Sequence, residues 1–233
     1  MKTLLLLIIA AAFVAVPVFG QDTPVDTGVL GADTAQQNIQ EISVNRFEDP
    51  GFWISSIPVD RGIVSHRRIL GGPADKEPIA AEVAAGIEAV DDYVIGVRAD
   101  FYRRGETQIS LRPIRPIHVP GIVKTLSVWV VGRNMNHHLS LVVEDYFGNV
   151  RVLPMGRLNH TGWRLMTVAV PPGLRMQDPH FPTESGLKVR GFLIDSDIDE
   201  SYGTFYVYFD DMRAVTDLFA EQSRDPDDMV DGW

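Results

Sequence analysis

HLSLVVEDYFGNVRVLP, residues 138–154, decides the fold class. Leu139, Leu141 and Val143 fall on one side of an extended chain, with Ser140 and Glu144 on the other, because successive side chains of a strand alternate between faces. A period of two marks a half-buried antiparallel strand. Gly148-Asn149 then supplies a reversal ahead of VRVLP, residues 150–154, since glycine reaches the positive φ values that a tight hairpin needs.

The same pattern recurs on both sides of this hairpin. Runs rich in β-branched and aromatic residues occur at 93–102, 107–114, 122–132, 163–170, 187–196 and 203–215, each bounded by turn residues. Gly105 in RRGET reads as the tip of a second hairpin. Such strands at this spacing predict an all-β domain, a two-sheet antiparallel sandwich of jelly-roll type. One stretch breaks the pattern. ADKEPIAAEVAAGIEAVDD (74–92) places Ile79, Val83, Ile87 and Val90 at helical spacing, predicting a short helix or ordered loop inserted between strands.

The ends differ from this middle. Residues 1–20 carry Lys2, an unbroken apolar run from Leu4 to Val16, then Pro17 and small residues, the pattern of a secretory signal peptide rather than of a membrane span. Residues 21–43 are polar and weakly patterned and are expected to form a flexible arm, so that the sandwich occupies 44–218. Residues 219–233 form an acidic tail, with five acids against one arginine after Phe219. The formal charge is −10, or −11 once Lys2 leaves with the signal. That balance disfavours nucleic acid and anionic lipid as partners, since both require a basic footprint. With no cysteine in the chain, disulfides, thiolate metal sites and cysteine nucleophiles are excluded.

A search for chemistry gives little. His66, His118, His137, His138, His160 and His180 include no i, i+4 helical pair, so no metal site is nominated. No nucleophile elbow, dinucleotide loop or phosphate loop is present. A β-sandwich glycosidase needs two facing carboxylates, roughly 5–5.5 Å or 6.5–9.5 Å apart. The adjacent acids of GTFYVYFDDM, Asp210 and Asp211, point to opposite faces of a strand. That stretch reads as a closing strand with Phe205, Val207 and Phe209 on one face and Tyr206 and Tyr208 on the other. Asp210 and Asp211 then mark its polar end, Asp210 bonding backbone N–H groups of a neighbouring loop. The acids of DSDIDES (195–201) read as a solvated loop. Candidate sugar-stacking aromatics are Trp53, Trp163, Tyr206 and Tyr208, whereas Trp129 inside SVWVVG is expected in the core.

Four blocks in order complete the picture: RFEDPGFW (46–53), VIGVRADFYRRGE (94–106), LSVWVVGRNMNHHLSLVVEDYFGNVRVLPMGRLNHTGWRLMTVAVP (126–171) and VRGFLIDSDIDESYGTFYVYFDDMRA (189–214). Together they resemble the flagellar filament outer layer, or sheath, proteins of spirochetes, over roughly residues 44–218. The resemblance implies a non-enzymatic structural subunit, exported to the periplasm, that coats the flagellin core of periplasmic flagella and shapes filament stiffness and motility. It implies as partners the flagellin core and other sheath proteins, with glycans on the core as a further possibility, and no catalytic residues or cofactors. Basic loop residues standing out against the acidic background, Arg67, Arg68, Arg103, Arg104, Arg112 and Arg115, are the candidate subunit contacts, meeting acidic neighbours such as the tail of an adjacent subunit. The alternative is a periplasmic carbohydrate-binding jelly-roll module.

Overall fold

The computed structural model describes residues 37–178 and 185–219. The signal-peptide segment, most of the predicted arm, His180 and the tail beyond Phe219 lie outside the described residues. In chain order the strands are β1 (Ile39–Asn45), β2 (Trp53–Ser56), β3 (Gly62–Leu70), β4 (Tyr93–Phe101), β5 (Gln108–Pro113) and β6 (Ile117–Pro120). They continue as β7 (Ile122–Val131), β8 (His138–Glu144), β9 (Val150–Arg157), β10 (Trp163–Ala169), β11 (Gly186–Asp195) and β12 (Gly203–Asp217). The arm expected through residue 43 gives way to strand at Ile39, because β1 pairs with β12 from Ile39↔Asp217 onward.

Two antiparallel sheets face each other in a jelly-roll-like sandwich. Sheet A has the order β10-β7-β12-β4-β3, with β1 also on β12; sheet B has β2-β5-β11-β8-β9, with β6 also on β11. Each sheet is organised by one long strand that changes neighbours part-way along. β12 pairs first with β4 and then with β1, and β11 pairs with β6 and then with β5. Both carry a bulge where the change occurs, near Asp211 in β12 and between Val189 and Gly191 in β11, as expected of the extra residue that bends and twists a strand. Gly191 is obligatory at φ +124°, where an added Cβ would lie 2.3 Å from the Leu111 carbonyl oxygen.

Aromatic rings join the sheets through the core. Phe192 of β11 stacks on Phe209 of β12 at 4.9 Å, and Phe47 stacks on Trp53 at 4.8 Å. Such contacts add roughly 0.5–1.5 kcal/mol each to the stabilisation from burial alone. Leu139, Leu141 and Val143 are fully buried, as are Phe205, Val207 and Phe209, matching the period-two expectation. The hairpin from β8 to β9 turns at Gly148, φ +84°, with Asp145 Oδ1 accepting the Asn149 N–H at 2.8 Å.

One local expectation fails. RRGET is not a hairpin, since β4 lies in sheet A and β5 in sheet B. Gly105 instead turns a crossover between sheets, its N–H held by Ser201 Oγ at 2.9 Å. The expected short insertion between strands is present: the helix α1 spans Ala80–Ala84, with Gly86 at φ +68° beyond its end. Ile79 alone of the four periodic apolar residues is buried; Val83, Ile87 and Val90 are more than half exposed.

Candidate interaction face

The acidic motifs are absorbed by the fold. In RFEDPGFW, Arg46 pairs with Glu82, and Phe47 enters the aromatic core. Glu48 accepts the Tyr93 N–H at 2.9 Å, and Asp49 caps the 3₁₀ turn Pro50–Phe52 through the Gly51 N–H. In FDDM, Asp210 and Asp211 lie inside β12 rather than at its end. The register advances from Asp210↔Trp129 to Arg213↔Ser127, so β12 carries one residue more than β7 at this point. Asp211 is that residue, at φ +43°, and its carboxylate binds Arg213 Nε at 2.7 Å. Arg213 also reaches Glu41 of β1 and the Glu77 carbonyl, tying the bulge to its neighbours.

Asp210 is 1% exposed and points to the outer side of sheet A, under the excursion formed by residues 71–92. Its Oδ2 is 2.9 Å from Lys76 Nζ, which also pairs with Asp91 at 2.6 Å, and its Oδ1 has no partner. Backbone N–H groups were expected to bind Asp210; the lysine ammonium does so instead. Burial pushes the carboxyl up to about 6, against the pull of Lys76. The lysine clamps the excursion to the sheet. Among the described residues no group of three or more His, Asp or Glu side chains is placed to hold a metal ion. In the DSDIDES loop, Glu200 binds the backbone and side chain of Asn136, and Asp197 accepts the Asp199 N–H.

Beyond the clamp, the outer side of sheet A is open. Strand pairing aligns Trp163, Val131, Tyr208, Gly96 and Arg67 in one row across β10, β7, β12, β4 and β3. The next row contains Tyr206, Arg98 and Ser65. Gly96 makes a notch: a Cβ there would meet Ile69 Cδ1 at 2.8 Å and Tyr208 Cε1 at 3.0 Å, so its absence lets the tyrosine ring lie across β4. Tyr206 and Tyr208 form a ridge between two hollows. One, of about 310 Å³, includes Arg67, Ile69, Gly96 and Arg98 in its lining; the other, of about 530 Å³, includes Arg133 and Met135. The Arg98 and Arg133 guanidinium carbons lie 5.9 and 5.3 Å from the centroids of Tyr206 and Tyr208, within cation–π range.

The six arginines predicted as contacts do not form one patch. Arg67 lies on the ridge face, whereas Arg68 covers Tyr93 at 4.5 Å. Arg103 pairs with Asp60, and Arg104 covers Tyr202 at 4.7 Å. Arg112 opposes Ile54 in sheet B, and Arg115 is exposed between β5 and β6. Of the aromatics, Tyr206 is 40% exposed, while Tyr208 and Trp163 are half-buried on the same face. Trp53 must be removed from the stacking candidates: it is 2% exposed, its ring stacked on Phe47 and packed against Phe192. Trp129 is half-buried and faces outward with Asp210 and Leu165, not in the core. Arg98 and Arg133 were missed. Arg98 was legible as the outward alternate in VIGVRAD, but Arg133 is placed by a loop with φ +54°.

Comparison with known proteins fixes the lineage of this fold. The profile of the family described as flagellar filament outer layer protein (FlaA) matches residues 21–224. This chain belongs to the flagellar filament outer layer protein family. A flagellar filament outer layer-like protein of Brachyspira hyodysenteriae is 36% identical over 214 residues, covering 92% of this chain and 96% of that protein. The flagellar filament outer layer protein of Spirochaeta aurantia is 30% identical over 117 residues, 46% of this chain and 35% of that protein. Among solved structures, a family 11 carbohydrate-binding module from Clostridium thermocellum covers 77% of this chain and 97% of its own, at 11% identity and TM-score 0.43. A likeness that loose carries no functional weight. Membership in the outer layer family supports a sheath-type role, and among the described residues no helix is long and apolar enough to cross a membrane.

Proposed function

We propose that this chain is a structural coat subunit laid over the flagellin core of spirochete periplasmic flagella, where it contributes to filament shape, stiffness and motility. The observation that carries the reading beyond family membership is the outer face of sheet A. It exposes a tyrosine ridge flanked by Arg67, Arg98 and Arg133, and tyrosine and arginine are the residues that dominate protein–protein contact energies. The buried acids Asp210 and Asp211, by contrast, are engaged by Lys76 and Arg213 inside the fold. A subunit of this kind works by surface complementarity, and the rigid strands on which the ridge stands supply a fixed shape. The test is to purify filaments, wash them at high salt and probe for the protein. Retention on filaments supports the coat role; recovery only in the free periplasmic fraction overturns it.

Alignment of Trp163 and Tyr208 on either side of Val131 favours a second reading, in which the same face stacks on glycans carried by the core. Binding on a glycan array that is lost in Tyr208→Ala and retained in Trp53→Phe would support it.

A further inference from the structure

We propose that the tyrosine ridge of sheet A receives the acidic segment 221–233 of a second copy of this chain. The inference rests on the reading of the protein as an assembling coat subunit and names one of its contacts. Three features of the face point to an acidic, partly apolar strand of polypeptide. Arg67, Arg98 and Arg133 surround the ridge in a chain whose formal charge is −10, and Arg98 is the one with a carboxylate partner here, Asp100. The two hollows, of about 310 and 530 Å³, both border Tyr206 and Tyr208. Each presents apolar surface beside a guanidinium: Ile69 and the Gly96 notch on one side, Met135 on the other.

The segment EQSRDPDDMVDGW has the matching chemistry. Glu221, Asp225, Asp227, Asp228 and Asp231 oppose one arginine, and Met229, Val230 and Trp233 supply apolar side chains of a size to enter the hollows. Pro226 disfavours helix and biases Asp225 towards extended backbone. Its carboxylates meet the guanidiniums while its apolar residues straddle the ridge, a combination in which charge steers docking and buried aromatic contact holds it.

A second copy is favoured over the chain's own segment by the direction of β12. Tyr206 stands near the start of this strand and Asp217 at its end, a separation of about 36 Å at roughly 3.3 Å per residue. The excursion 71–92 covers the sheet at Asp210, between the two. A segment leaving after Phe219 would have to cross that cover at nearly full extension to reach its own ridge. A neighbour placed end to end along the strand direction delivers the segment without crossing it.

The experiment places a photo-crosslinking benzoylphenylalanine at Met229 of the full chain. The expected result is crosslinked dimers and higher multimers that increase with protein concentration, with the linkage mapped to peptides containing Tyr206, Tyr208 or Arg133. The yield should fall at least fivefold at 1 M salt, where screening shortens the reach of charges to about 3 Å, and at least fivefold in Arg67→Glu/Arg133→Glu. The melting temperature of that variant reports whether it folds; if it does not, Asp227→Asn/Asp228→Asn/Asp231→Asn tests the same contact from the segment's side. Crosslinks confined to single chains, mapped elsewhere or indifferent to these variants overturn the proposal. Failure here with retention on purified filaments leaves the coat role standing; loss from filaments removes that role whatever the crosslinks show.

Discussion

Replacing Lys76 by methionine isolates the clamp under the 71–92 excursion. Lys76 Nζ lies 2.9 Å from the Asp210 carboxylate, which is 1% exposed and has no second partner on Oδ1. Burial raises the folded-state pKa of Asp210 from 3.8 to about 6, so the ionised form costs about 3 kcal/mol relative to an exposed carboxylate. The sign follows directly. Between about pH 4 and pH 6 the folded state binds a proton that the unfolded state does not, so this group's contribution to stability falls as pH rises through that window. Losing the adjacent ammonium raises the pKa by a further ~2–3 units, and at pH 7.5 the folded variant then holds Asp210 mostly protonated. The added cost is then about 1.36 kcal/mol for each unit between pH 6 and 7.5, or ~2 kcal/mol, with up to ~1 kcal/mol more from the half-exposed Asp91 pair. At pH 5 the carboxyl is protonated with or without the lysine, and only the Asp91 part remains. Lys76→Met should therefore lower Tm by about 5–10 °C at pH 7.5 and by less than about 3 °C at pH 5, for a domain in which 1 kcal/mol is worth roughly 2–4 °C. Asp210→Asn mimics the protonated acid and should abolish the pH dependence of the Lys76→Met effect. Thermal unfolding followed by circular dichroism reads all four proteins. An equal loss at both pH values refutes the reasoning.

Other perturbations test the rest of the framework. Asp211→Ala loses the Arg213 pair and retains φ +43°, whereas Asp211→Gly loses the pair but relaxes the backbone. Urea unfolding should place the alanine variant about 1 kcal/mol below the glycine variant, and equal stabilities would deny strain at the bulge. Gly132→Ala would put a Cβ 2.3 Å from the Leu158 carbonyl oxygen, so a loss of about 3 kcal/mol or failure to fold is expected, with a native melting temperature as the contrary result. His137 is fully buried against Phe205, its Nδ1 accepting the Asp197 N–H, and burial lowers its pKa below 6.5. The unfolded chain then binds a proton that the folded chain refuses below pH 6.5, and stability falls on acidification. His137→Gln should flatten that decline in urea midpoints between pH 6.5 and 5; an unchanged slope would assign it to other groups.

Period-two alternation made most strands legible, because a sheet with one solvated face leaves that mark on every strand it contains. The same rule, applied to LSVWVVG, places Trp129 outside: Leu126, Val128 and Val130 are fully buried on the other parity. An aromatic inside an apolar strand had suggested burial, and parity wins because a one-residue slip would turn the whole core face outward. Trp53 shows the converse. Its four-residue strand is too short to reveal parity, and its depth is set by Phe47, which folds back across the Pro50–Phe52 turn, and by Phe192 from a distant part of the chain. RRGET marks a reversal, but a turn does not specify which sheet its second strand joins. Nor could sequence place Lys76 against Asp210, 134 residues away. The candidate face was half legible for the same reason: Tyr206, Tyr208, Arg67 and Arg98 were visible as strand positions or basic residues, but the pairing of Arg98 with Tyr206 comes from register and Arg133 is placed by a loop outside any strand.

β12 places these elements in a dependency. Residues 203–209 pair with β4 along the whole stretch and also with β7 at Tyr208 and Phe209, and their inward side chains lie in the aromatic core. The clamp at Asp210 and the bulge at Asp211 come after this stretch paired with β4. Loosening the excursion therefore removes cover from Asp210 without removing the pairing that orients Tyr206 and Tyr208. Lys76→Met should thus weaken the fold and leave the ridge in place, whereas truncating Phe209, buried opposite Ile95, should disturb both. If Lys76→Met reduced crosslinking at the ridge as strongly as Arg67→Glu/Arg133→Glu at a temperature where it remains folded, clamp and ridge would form one cooperative surface, and the separation argued from strand pairing would be wrong.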